Sequence, residues 1–269
     1  METGFVTISG SKIYWEKAGS GDPIIFIHAD ALDTRQWDLQ FEYFSKKFTV
    51  VRFDIRGFGK SEIPTEAPYS FSEDLFILMN ALSIQKAHIV GLSLGAAIGI
   101  DFSLTHPEKV TSLVLADSGI SGDGFNEKFI KNIKTIEELA KNDQIDSAKK
   151  DWSDLSIFNY SRRLPVVWEK VQKMVCDTSG YRWYGKNQPI DINPPAIERL
   201  SEIKSNTLVL VGEHDNDDFQ RKANLLNKKI SGNQLISIPN AGHLSNMDNP
   251  EIFNHTMESF YFECFDEKA

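Results

Sequence analysis

Residues 87–100, Ala-His-Ile-Val-Gly-Leu-Ser-Leu-Gly-Ala-Ala-Ile-Gly-Ile, constrain what this chain can fold into more than any other stretch. Ile89-Val90 end an apolar run that reads as a buried strand, and from Leu94 onward no helix breaker occurs until His106-Pro107. A strand therefore passes into a helix through Gly91-Leu92-Ser93-Leu94-Gly95, with glycines two residues before and after a serine. That spacing is the pattern of a nucleophile elbow. Such a turn strains the backbone at the serine and packs strand against helix so closely that side chains at 91 and 95 would collide with neighbouring elements. The same spacing also occurs at ordinary strand-to-helix turns, so its meaning depends on what surrounds it.

The surroundings alternate. Ile24-Ile25-Phe26-Ile27 is a continuous apolar run, as expected of a strand covered on both faces, and it ends in His28-Ala29-Asp30. Phe48–Phe53 and Val110–Ala116 read as further strands, with helices expected over about 35–46 and from Ser72 to about Ser83. Strand and helix thus alternate from residue 24 to 116, which implies a parallel, doubly wound sheet. An antiparallel hairpin precedes it: residues 5–8 and 12–18 flank Ser9-Gly10-Ser11, and Ile13 and Trp15 alternate with Tyr14 and Glu16. Between strand 48–53 and the next helix, Asp54-Ile55-Arg56-Gly57-Phe58-Gly59-Lys60-Ser61 reads as a tight bend.

From about 119 to 200 the alternation stops. Helical stretches near 125–141 and 165–176 accompany the aromatic residues Phe158, Tyr160, Trp168, Trp183 and Tyr184, and the segment leaves through Pro189 to Pro195. It reads as an inserted helical cap whose aromatic residues form either a pocket or the cap's own core. Alternation resumes with strand 207–211, a helix over about 217–229, strand 234–238 and a last helix from about 250 to 264. The expected organisation is an α/β core of residues 1–118 and 201–269 with a cap of residues 119–200. The core would hold a mostly parallel twisted sheet of about eight strands with helices on both faces.

Length permits this, since 269 residues hold one large α/β domain with an insertion or two small domains. With 38 acidic against 29 basic residues and no basic cluster, nucleic acid is not an expected partner. No segment approaches the length needed to span a bilayer, and residues 1–6 lack a basic region followed by an apolar run, so the chain reads as cytoplasmic and not membrane-bound. Cys176 and Cys264 stand far apart without CxxC spacing and read as buried, reduced thiols. The histidines and acids form no H-E-x-x-H or similar ligand set, so neither a metal nor another cofactor is expected.

A serine hydroxyl is a poor nucleophile at neutral pH and needs a base within reach and a third group to fix that base's tautomer. In a parallel sheet reactive residues collect at the carboxyl ends of strands, so partners for Ser93 should follow later strands. Asp215 follows strand 207–211 and His243 follows strand 234–238, giving the chain order Ser, Asp, His. Asp217 and Asp218 are alternative acids but look placed to start the next helix. His214, next to Asp215, should point away from it, while His88, His106 and His255 read as surface or capping residues and His28 as a residue that holds its loop.

With these motifs the chain resembles the α/β-hydrolase family over nearly its whole length. The resemblance rests on His28-Ala29, on Asp54-x-Arg56-Gly57-x-Gly59-x-Ser61, on Gly91-x-Ser93-x-Gly95, on Gly212-Glu213-His214-Asp215, and on Gly242-His243 followed by Asp248-x-Pro250. The run 28–38 looks most like the small esterase and enol-lactonase branch. The resemblance implies that Ser93 is the nucleophile, His243 the general base and then acid, and Asp215 the group that orients His243. It further implies an oxyanion hole made by the N–H groups of Leu94 and Asp30. Two departures stand out: Ala29 replaces the usual glycine, and Asp30 sets a carboxylate beside the oxyanion hole. An inward-pointing Asp30 would disfavour anionic substrates. The implied activity is a cofactor-independent serine hydrolase acting on a small ester or lactone through an acyl-enzyme. A carbon–carbon bond hydrolase or acyltransferase using the same triad, or a ligand receptor that keeps the fold, stays open on sequence alone.

Overall fold

The computed structural model describes residues 1–266, with side chains through Tyr261. Its strands are β1 (Glu2–Ile8), β2 (Ser11–Ala18), β3 (Pro23–Ile27), β4 (Thr49–Phe53), β5 (Ala87–Leu92), β6 (Val110–Ala116), β7 (Asn206–Gly212) and β8 (Gln234–Ile238). They form one sheet in the order β1-β2-β4-β3-β5-β6-β7-β8. β1 and β2 pair antiparallel, β2 joins β4 antiparallel, and every pairing from β4 to β8 is parallel. The chain moves outward from β3 to β4 and then returns to the other side of β3 with β5. This reversal opens a crevice beyond the carboxyl ends of β3 and β5, where open α/β sheets bind ligands.

Period-2 alternation explains why the parallel strands are apolar throughout. Ile24, Phe26, Val50, Val90 and Leu92 pack on one face with Trp37, Phe44 and Phe253; Ile25, Ile27, Val51 and Ile89 pack on the other with Leu75, Leu78 and Phe102. The first face is covered by α1 (Asp38–Phe44) and α11 (Pro250–Asp266), the second by α2 (Phe71–Ala81) and α3 (Leu94–Thr105). The helix expected over 35–46 is a 3-10 turn, Thr34–Trp37, followed by α1, because Asp33 caps that turn by accepting from Arg35 N–H. Helix α2 starts one residue before Ser72, capped by the Ser70 hydroxyl.

Between β6 and β7 lie α4 (Glu127–Lys141), α5 (Ile145–Ser153), α6 (Pro165–Asp177), α7 (Tyr181–Tyr184) and α8 (Ala196–Arg199), joined by short 3-10 turns and no strand. α4 and α6 match the two helical stretches read from sequence; α5 was not foreseen. After β7 come α9 (Asp217–Lys229), β8, the single-turn α10 (Ser245–Asp248) and α11.

Four expectations are corrected. Tyr14 and Glu16 do not face solvent, since Glu16 accepts from Arg52 at 2.7 Å and from the Tyr14 hydroxyl at 2.8 Å within the fold. His88 is not a surface residue but is buried, 2.7 Å from the Ser112 hydroxyl and against the ring of Tyr261. Cys176 is exposed at the end of α6 instead of buried, while the side chain of Cys264 lies outside the described residues. Among the described residues no helix is long and apolar enough to cross a membrane.

Candidate active site

The parallel register sets Ser93, Asp117, Asp215 and His243 in a row, because Leu92 pairs with Ala116, Ala116 with Leu210, and Gly212 with Ile238. Each follows the end of a neighbouring strand. Ser93 sits at φ 55 and ψ −108, a conformation that costs a non-glycine residue about 1–3 kcal/mol. Backbone bonds hold it there: its N–H donates to Ala116 O at 3.0 Å, and its carbonyl accepts from Ala97 and Gly119 N–H at 3.1 Å each. The flanking glycines are obligatory. A β-carbon on Gly91 would overlap the Gly95 backbone, and one on Gly95 would overlap the carbonyl oxygen of Ile27 on β3.

That close approach brings the loop after β3 alongside the elbow. His28 is buried, and its Nε2 accepts from Ile55 N–H at 2.9 Å, so Nδ1 carries the proton and donates to Ala29 O at 2.7 Å. Burial lowers its pKa, which favours this neutral form. Asp54 accepts from Thr34 N–H and Lys60 N–H at 2.7 Å each, so the bend 54–61 locks the same loop from below. Ala29 N–H donates to Gln36 Oε1 at 2.8 Å, and Gln36 is tied to Asn246 of α10. Among the described residues the N–H groups of Asp30 and Leu94 reach no protein acceptor.

His243 is buried, and its Nδ1 donates to Asp215 Oδ2 at 2.9 Å, leaving Nε2 with the lone pair. The other oxygen of Asp215 accepts from Asn216 N–H at 2.7 Å. The Phe219 ring lies 4.1 Å from the imidazole and restricts its rotation. His214 turns outward as expected and stacks on Tyr160, and Asp217 and Asp218 enter the first turn of α9, where Asp218 accepts from Asn126.

Ser93, Leu94, Ala29, Asp30 and His243 all border one cavity of about 760 Å³, within the range of small-molecule sites. Its far walls are mainly apolar and come largely from residues 119–200: Phe125, Phe129, Ile133, Trp152, Phe158 and Trp183. Of the aromatic residues singled out in the sequence, only Phe158 and Trp183 reach the cavity. Tyr160 and Trp168 pack elsewhere and Tyr184 is exposed. Asp30 does face inward. Its carboxylate stands 3.8 Å from Arg182 Nε of α7, and burial raises its pKa against the opposing charge of Arg182. Asp30 Oδ1 and Arg182 Nε are both buried without a hydrogen-bond partner.

Sequence reasoning missed Arg182, Gln36 and Asp117. Asp117 ends β6 at φ 44, fully buried. With Asp215 and His243 it makes the one cluster of three acid or imidazole groups, among the described residues, whose ligand atoms lie within 4.8 Å of one another. N–H and O–H donors already occupy these oxygens, so a cation there would have to displace the His243–Asp215 bond.

A mostly parallel sheet with a strained serine at the carboxyl edge and a buried His–Asp pair beside it defines an α/β hydrolase. The chain belongs to the alpha/beta hydrolase fold family, whose sequence pattern it matches over residues 22–250. It is 25% identical over 278 residues to a 2-hydroxy-6-oxo-6-phenylhexa-2,4-dienoate hydrolase of Burkholderia cepacia, covering 95% of each chain. It is also 25% identical over 242 residues to 3-oxoadipate enol-lactonase 1 of Acinetobacter baylyi, covering 88% of this chain and 87% of that one. The structure of a thermophilic esterase from Thermogutta terrifontis superposes with a TM-score of 0.82 at 22% identity, covering 98% of this chain and 99% of that one, a likeness of fold.

Proposed function

We propose that this hydrolase cleaves a small carboxylic ester or lactone through an acyl-enzyme on Ser93, beneath a cap formed by residues 119–200. The observation that carries the reading is the 2.9 Å bond between His243 Nδ1 and Asp215, with Ser93 and His243 bordering one cavity. His243 Nε2 takes the Ser93 proton as Oγ bonds to the carbonyl carbon, and Asp215 stabilises the imidazolium. The N–H groups of Leu94 and Asp30 receive the oxyanion, each such donor being worth about 3–4 kcal/mol in the transition state. The imidazolium then protonates the departing alkoxide, and water, deprotonated by His243, releases the acid and restores Ser93. In a lactone the alcohol stays tethered, so one product leaves.

Cavity size and its aromatic wall support a compact, largely apolar acyl or alcohol group. Asp30, beside the proposed oxyanion hole, supports an uncharged substrate, because it already neutralises the cation of Arg182 that a substrate carboxylate would seek. The match to a dienoate hydrolase over 95% of the chain favours carbon–carbon bond hydrolysis as a second reading, with the same serine and base.

A burst assay on short-chain p-nitrophenyl esters tests the proposal, with intact-mass detection of the adduct formed by a serine-directed phosphonate. Wild type should turn over and gain one adduct, and Ser93→Ala should lose the adduct and at least about 1,000-fold in rate. Turnover retained by Ser93→Ala would sink the assignment. A dienoate panel run in parallel separates the second reading.

A further inference from the structure

Asp117 is a buried carboxyl for which the proposed reaction has no use. Its Oδ1 accepts from Gly212 N–H at 2.7 Å and its Oδ2 meets the Ser245 hydroxyl at 2.5 Å. Asp215 lies on β7's following loop and Asp117 at the end of adjacent β6, so the sheet register itself sets the two carboxyls side by side behind His243. A base must be uncharged before it accepts a proton, so with His243 neutral two ionised carboxyls would stand together in a fully buried setting. Like charges at this separation cannot both ionise cheaply there. Burial first, and the charge of Asp215 second, hold the Asp117 carboxyl well above the usual carboxylate range. The groups facing it are Asp215, His243 and, behind them, Asp248.

We propose that Asp117 is a protonated positioning residue: it donates a hydrogen bond to Asp215 in the resting enzyme, and serves as a latent second acid for His243 when Asp215 cannot. In wild type the proton stays on Asp117 throughout turnover while Asp215 alone carries the negative charge opposite the imidazolium. When Asp215 is replaced by asparagine, Asp117 loses its proton to solvent, and the carboxylate, already within 4.8 Å of the imidazole nitrogen, takes over the Nδ1–H. No other atom changes hands. Asp117 touches neither substrate nor reacting atoms, and the inference rests on the proposed role of Ser93, His243 and Asp215.

The test is a double-mutant cycle over pH 5–9, read as the rate of phosphonate capture by Ser93 and as p-nitrophenyl ester turnover. Loss of the acid from a serine triad costs about 10,000-fold. With Asp117 available, Asp215→Asn should lose only about 100-fold near pH 8, and its acid limb should move to higher pH than in wild type because Asp117 must first ionise. Asp117→Asn alone should lower the rate three- to tenfold. In the Asp215→Asn background the same change should cost a further 50-fold or more and abolish the displaced limb. Asparagine keeps an acceptor for Gly212 N–H and tolerates the positive φ, so it suits the site.

Equal rates for Asp215→Asn and the double variant at every pH would overturn the latent-acid role. A larger loss in Asp117→Asn than in Asp215→Asn would reverse the roles and also overturn the proposal. An infrared difference spectrum between wild type and Asp117→Asn at pH 7 needs no turnover. A protonated carboxyl band that shifts in D2O and is lost with Asp117 supports the proposal, and its absence overturns it. If wild-type Ser93 is never captured, the hydrolase reading fails separately while the infrared result still decides the state of Asp117.

Discussion

Asp30 shows how one residue changes what a common loop accepts. The proposed donor at this position is a backbone N–H, which any residue supplies, so the side chain is free to act on substrate charge. Its carboxylate faces the cavity and pairs loosely with Arg182, leaving one buried oxygen without a donor. Asp30→Asn removes the negative charge and releases the guanidinium. The ratio of kcat/KM for an ester bearing a carboxylate over its neutral analogue should rise by at least about tenfold, since a unit charge a few ångströms away in a partly desolvated site is worth more than about 1.4 kcal/mol. Arg182→Met should move the ratio the other way. An unchanged ratio in both variants would remove Asp30 from substrate selection. Chemical type and chain position were legible for Ser93, Asp215 and His243 because each follows an unmistakable strand. The orientation of Asp30 was not, because it depends on an arginine 152 positions away in sequence, from Asp30 to Arg182. Asp117 was hidden for a related reason: its significance arises only when β6 and β7 are seen as neighbours.

At the level of elements, the strands and long helices declared themselves through continuous apolar runs and helical spacing, and the sheet order then fixed where the site lies. The segment 119–200 was harder. α4 is strongly amphipathic in sequence, but α5 and α7 are short and owe their form to contacts such as Trp152 against Trp183 at 5.4 Å. How this segment is fastened was also unreadable. Lys222 of α9 is wholly buried, with its ammonium on Asp123 Oδ2, on the carbonyls of Asp123 and Gly124, and over the Phe125 ring at 4.2 Å. It therefore clamps the chain where it leaves the sheet for the helical segment, immediately before the cavity wall residue Phe125. Lys222→Met keeps the stem but strands two carbonyls, while Asp123 retains Arg221. The expected cost is about 2–3 kcal/mol, or roughly 5–10 °C in Tm for a chain of this size. KM should rise more than kcat falls, because the wall loosens while the serine, base and acid stay put. Unchanged melting and KM would show that the clamp is dispensable.

The whole molecule carries an unusual balance of buried acids, and this sets how its stability depends on pH. Burial, then the charge of Asp191, pushes Asp101 up to about 7, and burial pushes Asp248 up to about 6. For both, the folded pKa exceeds the unfolded value, so between those limits the native state binds more protons than the unfolded chain, and stability rises as pH falls through 8 toward 6. His28 acts in the opposite sense. Its folded pKa is depressed, the unfolded chain takes up the proton below about 6.5, and stability is lost as pH drops further. Acids held low by partners, such as Asp33 and Asp123, add their loss at still lower pH. The net charge of −9 at pH 7 reinforces the alkaline decline, since protonation relieves self-repulsion. These slopes cross near pH 6, where Tm should be maximal. Asp101 alone contributes roughly 1 kcal/mol between pH 8 and pH 6, which is about 2–4 °C for a protein of this size. Thermal melts from pH 5 to 9 check this, and Asp101→Asn should flatten the alkaline limb while leaving the acid limb, set by His28, in place. A wild-type Tm that climbs steadily from pH 6 to pH 8 would mean that Asp101 and Asp248 ionise in the folded state at little cost, and that the cavity floor beneath the helical segment is wetter than its burial implies.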